Sequence, residues 1–239
     1  DPDWVDVPVE ALLDKTYLQQ RASARFAPDA VPKHGDSLGS TALGADTTQE
    51  PSGTTHLSLI DSEGNAVSFT ATVESAFGSA RWVGGFLLNN EMTDFARSYE
   101  AEMPMPANVI AGGKRPRSSM SPTMVFDESG ELVLVTGSPG GNSIPAYVAK
   151  TILGIFDWQL TPQQAADHPN IIARGSKVRV EIGVDGGAEV AANLKELGYE
   201  VQEREGENSG IHIIQVTKDG LVGAADMRRE GTVRAWKAQ

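Results

Sequence analysis

The sequence contains no cysteine, which removes thiol nucleophiles, disulfides and the common structural zinc sites together and leaves the redox compartment unread. Its 4 histidines, His34, His56, His168 and His212, show neither H-x-x-x-H nor H-x-H spacing, so no metal site is expected. No uninterrupted apolar run approaches the roughly 18 residues of a membrane span, and none is expected. Basic residues are scarce as well: 20 Lys and Arg stand against 32 Asp and Glu, a formal charge of -12, and the densest basic run is Lys114-Arg115-Pro116-Arg117. Nucleic acid is held mainly by clustered Lys and Arg, so this balance argues against it as a partner. What is present, 40% hydrophobic and 22% charged residues in a chain of 239, suits a folded protein with one sizeable core or two small ones. The chain opens on Asp1-Pro2-Asp3-Trp4 rather than on Met or a charged-then-apolar leader, which suggests a fragment whose targeting signals are absent or were removed with an upstream segment.

Val9, Leu12, Leu13, Tyr17, Leu18 and Ala22 recur at helical spacing, with Pro8 suited to a helix start, and predict a helix over residues 7–26. From Ala27 to Gly53 the text turns to Pro, Gly, Ser, Thr and Asp. Connectors longer than about 15 residues are usually functional or disordered, and proteolytic processing is one such function. Thr55–Ile60 and Ala66–Glu74, joined by Asp61-Ser62-Glu63-Gly64-Asn65, predict a hairpin. Alternation puts Val67, Phe69, Ala71 and Val73 on one face of its second strand, expected in the core, and Ser68, Thr70, Thr72 and Glu74 on a polar face. Phe86–Leu88 reads as a short strand and residues 103–122, rich in Pro, Gly and Ser, as irregular. A second hairpin pairs Thr123–Asp127 with Glu131–Thr136, and Gly137-Ser138-Pro139-Gly140-Gly141 then leads into a helix over Asn142–Trp158. Helices at Pro162–Asp167 and Ala188–Leu197 and strands at Val178–Ile182, Tyr199–Glu203, Ile211–Val216 and Val222–Asp226 complete the reading. Antiparallel hairpins interleaved with a few helices define an α+β chain.

Several of these residues could carry chemistry. Thr54 follows the connector and opens a strand; it is either a strand residue or a nucleophile. Threonine attacks poorly without an adjacent base, and one arrangement supplies that base from the residue's own α-amine. Such an amine exists only after the Gly53–Thr54 bond is cut. His56, two residues further along the strand, reads as structural. Glu74, Glu91 and Asp94, taken singly, read as solvated surface acids. The glycine turn before the second long helix lies between a strand and a helix N-terminus, where a phosphate loop is one reading. It lacks the lysine of a G-x-x-x-x-G-K-[ST] phosphate loop.

Thr54-Thr55-His56-Leu57-Ser58, Gly64-Asn65-Ala66-Val67-Ser68, Leu87-Leu88-Asn89-Asn90-Glu91-Met92-Thr93-Asp94-Phe95, Lys114-Arg115-Pro116, Ser118-Ser119-Met120-Ser121-Pro122 and Thr136-Gly137-Ser138-Pro139-Gly140-Gly141 occur in the order seen in γ-glutamyltranspeptidases, which the chain resembles. The resemblance implies an N-terminal-nucleophile hydrolase, a four-layer α/β/β/α sandwich that is incomplete in this chain. Residues 1–53 would be the large subunit's tail with a connector ending at the self-cleavage site, and residues 54–239 the small, catalytic subunit. It implies that Thr54 attacks the Gly53 carbonyl and then, as the new N-terminus, accepts a γ-glutamyl group as an ester, with Thr72 bonded to its hydroxyl and Gly140 and Gly141 forming the oxyanion hole. Glu74, Glu91 and Asp94 would hold the substrate's α-amino group and Ser118 and Ser119 its α-carboxylate. Position 74 is asparagine in many relatives, and Arg117 stands where they usually have an apolar residue. Residues 96–113 occupy the place of a variable active-site lid.

The implied reaction transfers a γ-glutamyl group from glutathione or a related amide to water or an amino acid, without a cofactor. The partner would be the large subunit of the same precursor, which supplies a substrate-binding arginine that nothing here replaces, so the chain alone is expected to be inactive. A glutaryl-cephalosporin-type acylase, a poly-γ-glutamate-processing relative and a noncatalytic module that never cuts itself are the alternatives. Bacterial relatives suggest a periplasmic or secreted location.

Overall fold

The computed structural model describes residues 1–23, 28, 35, 53–96 and 105–236, and the chain divides into two compact units, Asp1–Gln49 with Glu91–Ser118 and Glu50–Asn90 with Ser119–Gln239. Most of the predicted connector, and residues 97–104 of the region compared with a lid, lie outside the described residues.

In the first unit the helix predicted over residues 7–26 is broken into α1 (Val9–Leu12) and α2 (Lys15–Ser23). Asp14 explains the break: its carboxylate accepts the Tyr17 N–H at 2.8 Å, and a short acid that caps a new helix competes with continuation of the old one. Neither helix buries a residue. Glu91–Asp94 form a 3-10 turn, and a single bridge joins Ala96 to Val109. The basic run is held inside this unit. Lys114 donates to the carbonyls of Ala107 and Val109 at 2.6 and 3.1 Å, while Arg115 pairs with Asp1 and Asp3 at 2.9 and 2.8 Å.

The second unit is built on an antiparallel sheet in the order β11-β10-β6-β5. Its strands are β5 (Thr123–Phe126), β6 (Leu132–Gly137), β10 (His212–Thr217) and β11 (Gly220–Ala225). Leu134, Ile211, Ile213 and Ala224 point from one face into a core shared with Tyr147, Ile155, Ala165 and Ala166. These last four lie on α3 (Ile144–Phe156) and α4 (Pro162–Asp167). Thr161 and Gln164 close a reciprocal capping box at the start of α4, which fixes where that helix begins. Beyond it, β7 (Ile171–Arg174) and β8 (Lys177–Glu181) pair antiparallel, and β9 (Val201–Arg204) pairs parallel to β8 through the crossover helix α5 (Gly187–Glu196). The sequence reading did not foresee β7, nor the two-residue β3 (Trp82–Val83), which pairs with β4 (Phe86–Leu87).

The opposite face of the central sheet is covered by the hairpin β1 (Thr54–Ile60) and β2 (Ala66–Thr72), and here the expected sidedness is reversed. The polar residues point inward: Thr54 and His56 are buried, Ser58 donates to the His212 carbonyl at 3.3 Å and Ser68 to the Thr136 carbonyl at 2.9 Å. Leu57, Leu59, Val67 and Phe69 are the half-exposed ones. Alternation recovered the two faces but not which one packs, because a polar face can be buried when each group finds a partner. The second strand also stops at Thr72, short of the predicted Glu74, which adopts a left-handed conformation with φ 72°.

His56 sits at the centre of this interface, 6.3 Å from His212 between ring centroids and against Gly137, where a Cβ would come within 2.3 Å of the ring. Its Nε2 meets the Ser58 hydroxyl at 3.2 Å and its Nδ1 the Thr70 hydroxyl at 2.7 Å. Because the Ser58 hydrogen goes to the His212 carbonyl, Nε2–H is the donor to Ser58 and Nδ1 accepts from Thr70, the arrangement of a neutral ring. Burial, then repulsion from His212, lowers its pKa from 6.5 to about 4. The neutral ring is favoured in the fold, so its contribution is full above pH 6.5 and is lost as the pH falls from 6.5 through about 4. The unfolding free energy from urea titrations is therefore expected to decline over that window, by up to about 3 kcal/mol. His56→Gln should flatten the decline; an equal decline in parent and variant would assign it elsewhere.

Candidate functional site

Thr54 opens β1 in register with Thr72 at the end of β2, and their side chains meet, the Thr54 hydroxyl donating to Thr72 Oγ1 at 3.1 Å. Thr72 Oγ1 also accepts the Glu74 N–H at 2.8 Å, a local bond that turns the chain out of the strand and accounts for the left-handed backbone of Glu74. Asn90 holds the same turn: its Oδ1 accepts the Ser75 N–H at 3.0 Å, its Nδ2 donates to Ser75 Oγ at 3.0 Å, and its own N–H donates to the Val73 carbonyl at 3.2 Å. Glu74 is 3% exposed and Thr54 7%. Ahead of the threonine, a Cβ on Gly53 would stand 2.2 Å from the Glu74 carbonyl oxygen, so the Gly53–Thr54 peptide is pressed against this turn and only glycine fits.

The glycine turn lies in the same unit. Gly140 has φ 138° and begins the 3-10 turn Gly141–Ser143 that feeds α3. A Cβ on Gly140 would come within 2.4 Å of the Tyr147 ring. Ser138, Pro139, Gly140 and Gly141 are all buried. The turn stands at the head of a 13-residue helix, the end at which the helix dipole is positive. Tyr147 is locked behind it, donating to Glu207 at 2.6 Å; burial, and then the bond and the charge of Glu207, push its pKa far above 10. Arg179 pairs with the same Glu207 and donates to Ser143 Oγ at 2.8 Å. Ser119 reaches Asn142 Oδ1 at 3.5 Å.

The other predicted residues belong to the first unit. Glu91 and Asp94 stand on its 3-10 turn, and Asp94 is 3% exposed. Asp94 Oδ1 is buried and meets no hydrogen-bond donor among the described residues. Asn108 organises these surroundings, donating to the Asp94 carbonyl at 2.6 Å and accepting the Arg117 N–H at 3.0 Å. Ser118 ends the unit. Sequence reasoning missed Asn108 and, in the second unit, Asn90 and Arg229, the last of which donates to the Thr54 carbonyl at 3.0 Å. Asn90 was reachable, since it directly precedes Glu91 in a quoted motif; Arg229 carried no spacing signal.

Among solved structures, the gamma-glutamyltranspeptidase from Pseudomonas nitroreducens in complex with L-DON matches 77% of this chain and 100% of that one, with 32% identity and a TM-score of 0.67. The fold is accordingly that of the N-terminal-nucleophile hydrolases, of which this α+β chain holds an incomplete part. The chain belongs to the gamma-glutamyltranspeptidase family, whose profile matches residues 1–236. The glutathione hydrolase proenzyme of Pseudomonas aeruginosa is 35% identical over 97% of this chain, and the acylase ACY 1 proenzyme of Pseudomonas sp. strain SE83 30% identical over 97%. This chain spans about two fifths of each of those relatives, 42% and 39%. Among the described residues, no helix is long and apolar enough to cross a membrane.

Proposed function

We propose that this chain is the catalytic portion of a γ-glutamyl transferase or hydrolase that forms a threonyl ester after cleaving itself between Gly53 and Thr54. The observation that carries the reading is the pairing of the buried Thr54 hydroxyl with Thr72, directly behind a Gly53 pressed against the 74–75 turn. Attack of Thr54 Oγ on the Gly53 carbonyl, with transfer of the proton to the departing Thr54 nitrogen, converts the peptide to an ester. Water hydrolyses that ester and leaves a Gly53 carboxylate and a free Thr54 amine. The amine then accepts the hydroxyl proton as Oγ attacks a γ-glutamyl amide, the leaving amine takes that proton, and water or an amino acid resolves the acyl-enzyme. Gly140 and Gly141 stabilise the oxyanion in each attack. Glu74, Glu91 and Asp94 receive the substrate's α-amino group, an assignment supported by a buried Asp94 oxygen with no donor among the described residues. Ser118 and Ser119 receive the α-carboxylate.

The boundary between large-subunit tail and catalytic subunit falls at Gly53–Thr54 in this reading, and the large subunit of the same precursor is the partner. The half-exposed face of Leu57, Leu59, Val67 and Phe69 supports a chain that is inactive without it, because a contiguous apolar sheet face calls for cover. A glutaryl acylase is the second reading, favoured by the similarity to the acylase ACY 1 proenzyme. Intact mass of the full-length precursor, upstream region restored, beside Thr54→Ala tests the proposal. A product beginning at Thr54 from the parent alone is expected, and cleavage of neither protein sinks the nucleophile. Turnover of a γ-glutamyl anilide well above that of a glutaryl anilide is then expected, since only the first offers an amine to the acids; the reverse preference establishes the acylase.

A further inference from the structure

The main chain of Thr54 is gripped by a residue with no part in the proposed chemistry. Arg229 Nη1 donates to the Thr54 carbonyl at 3.0 Å, while Nη2 donates to the carbonyl of Asn208 at 2.9 Å and to its side-chain oxygen at 2.7 Å. The planar fork of an arginine is suited to joining two segments in a fixed geometry.

Both ends of this clamp are anchored. The preceding Arg228 is fixed by Glu181 and Asp226 at 2.7 and 3.0 Å, and its Nη atoms also cap the carbonyls of Ala166, Asp167 and His168. Asn208 belongs to a strap, residues 207–210, in which every member is tied. Glu207 holds Tyr147 and Arg179, Ser209 donates to Asp226 at 2.6 Å, and the Gly210 N–H donates to Ser138 Oγ at 3.2 Å. A Cβ on Gly210 would stand 2.8 Å from both the Arg229 stem and the Pro139 ring. The strap therefore touches the glycine turn on one side and, through Arg229, the threonine on the other.

We infer that Arg229 is a positioning residue that holds the Thr54 main chain in register with the glycine turn, an inference that rests on the reading of Thr54 as the nucleophile. Strand ends fray unless tied down. Once the Gly53–Thr54 bond is cut, Thr54 keeps covalent restraint on its carbonyl side alone, and Arg229 binds that carbonyl. The attacking hydroxyl and the α-amine both pivot on the Cα next to the carbonyl that this bond steadies, and displacements of about 1 Å at a reacting centre can cost about a hundredfold in rate.

The test uses the full-length precursor, upstream region included, as parent, Thr54→Ala, Arg229→Met and Arg229→Lys. Self-cleavage is followed by intact mass. Mature enzyme is assayed with a γ-glutamyl anilide, with turnover expressed per Thr54 acylated in the burst. Arg229→Met is expected to slow both self-cleavage and per-site kcat by about tenfold or more with KM changed less than about twofold, and Arg229→Lys, which keeps one donor for the carbonyl, to recover part of the loss. Per-site normalisation separates this from a merely structural role, which lowers the melting temperature and the acylated fraction but leaves each remaining site at full speed. If Arg229→Met does not fold, Arg229→Lys decides alone: slowed per-site turnover supports the inference and parent-like turnover overturns it. A parent that cuts itself, beside Arg229 variants indistinguishable from it, overturns the inference and leaves the nucleophile standing; a parent that stays intact removes both.

Discussion

Gly140→Ala in the full-length enzyme is expected to lower kcat by about 10²–10³-fold, the range for loss of an oxyanion donor, with KM changed by no more than a few-fold. Two features make this position intolerant. Its φ of 138° lies where side chains are strained, and the added Cβ would meet the Tyr147 ring at 2.4 Å. Tyr147 cannot step aside, being fully buried and bonded to Glu207. The turn must move instead, and the N–H groups it presents move with it. Gly130→Ala is the control: it too has positive φ, 86°, but a Cβ there meets nothing within 4 Å. That variant is expected to lose about 1 kcal/mol of stability or less, with turnover unchanged. A Gly140→Ala enzyme that melts earlier yet turns over at the parental rate would remove the oxyanion role from this turn.

The elements that repeat were legible in the sequence, and those made by closure were not. The hairpin of β1 and β2, the glycine turn before α3 and the strands β10 and β11 all carry periodic apolar residues or turn chemistry within a short window, and each was expected close to where it lies. Sidedness was different. The face of β1 and β2 that packs is the one bearing Thr54, His56, Ser58 and Ser68, and nothing local says that Ser58 and Ser68 will find carbonyls of β10 and β6 while Thr54 and His56 are satisfied by Thr72 and Thr70. Glu74 shows the same limit at one residue. Period-2 alternation placed it beside Thr72, yet the N–H of Glu74 bonds back to the Thr72 hydroxyl and the strand ends there. Asp14 cut a predicted helix in two by similar competition between side chain and main chain. Within the candidate site, resemblance to a family named Thr54, Thr72 and the glycines. It did not name the residues that hold them, Asn90 and Arg229, because each acts through a backbone carbonyl or turn brought near by the fold.

Arg228→Met is expected to destabilise the protein by about 3–5 kcal/mol, the cost of removing one partner from a buried charge cluster. The Arg228 side chain is 6% exposed and stands between Glu181 and Asp226, at 1% and 0%. Burial alone would raise the pKa of Asp226, but the Ser209 hydroxyl, the N–H groups of Arg228 and Ile211 and the Arg228 charge outweigh it and hold the group below its usual 3.8. Without the guanidinium, two ionised carboxylates remain in a dry interior and the carbonyls at the end of α4 lose donors. The sign with pH follows. The depressed pKa of Asp226 gives the parent stability that is present above about pH 3.8 and is lost as the pH falls through the lower folded value. The gap between parent and Arg228→Met in urea midpoint should therefore be widest near neutrality and narrow towards pH 4 and below. Combining Arg228→Met with Glu181→Gln and Asp226→Asn should restore part of the loss, since the cost lies in the unpaired charge more than in the missing contact. A gap that stays constant with pH would instead make lost packing of the arginine stem the cause.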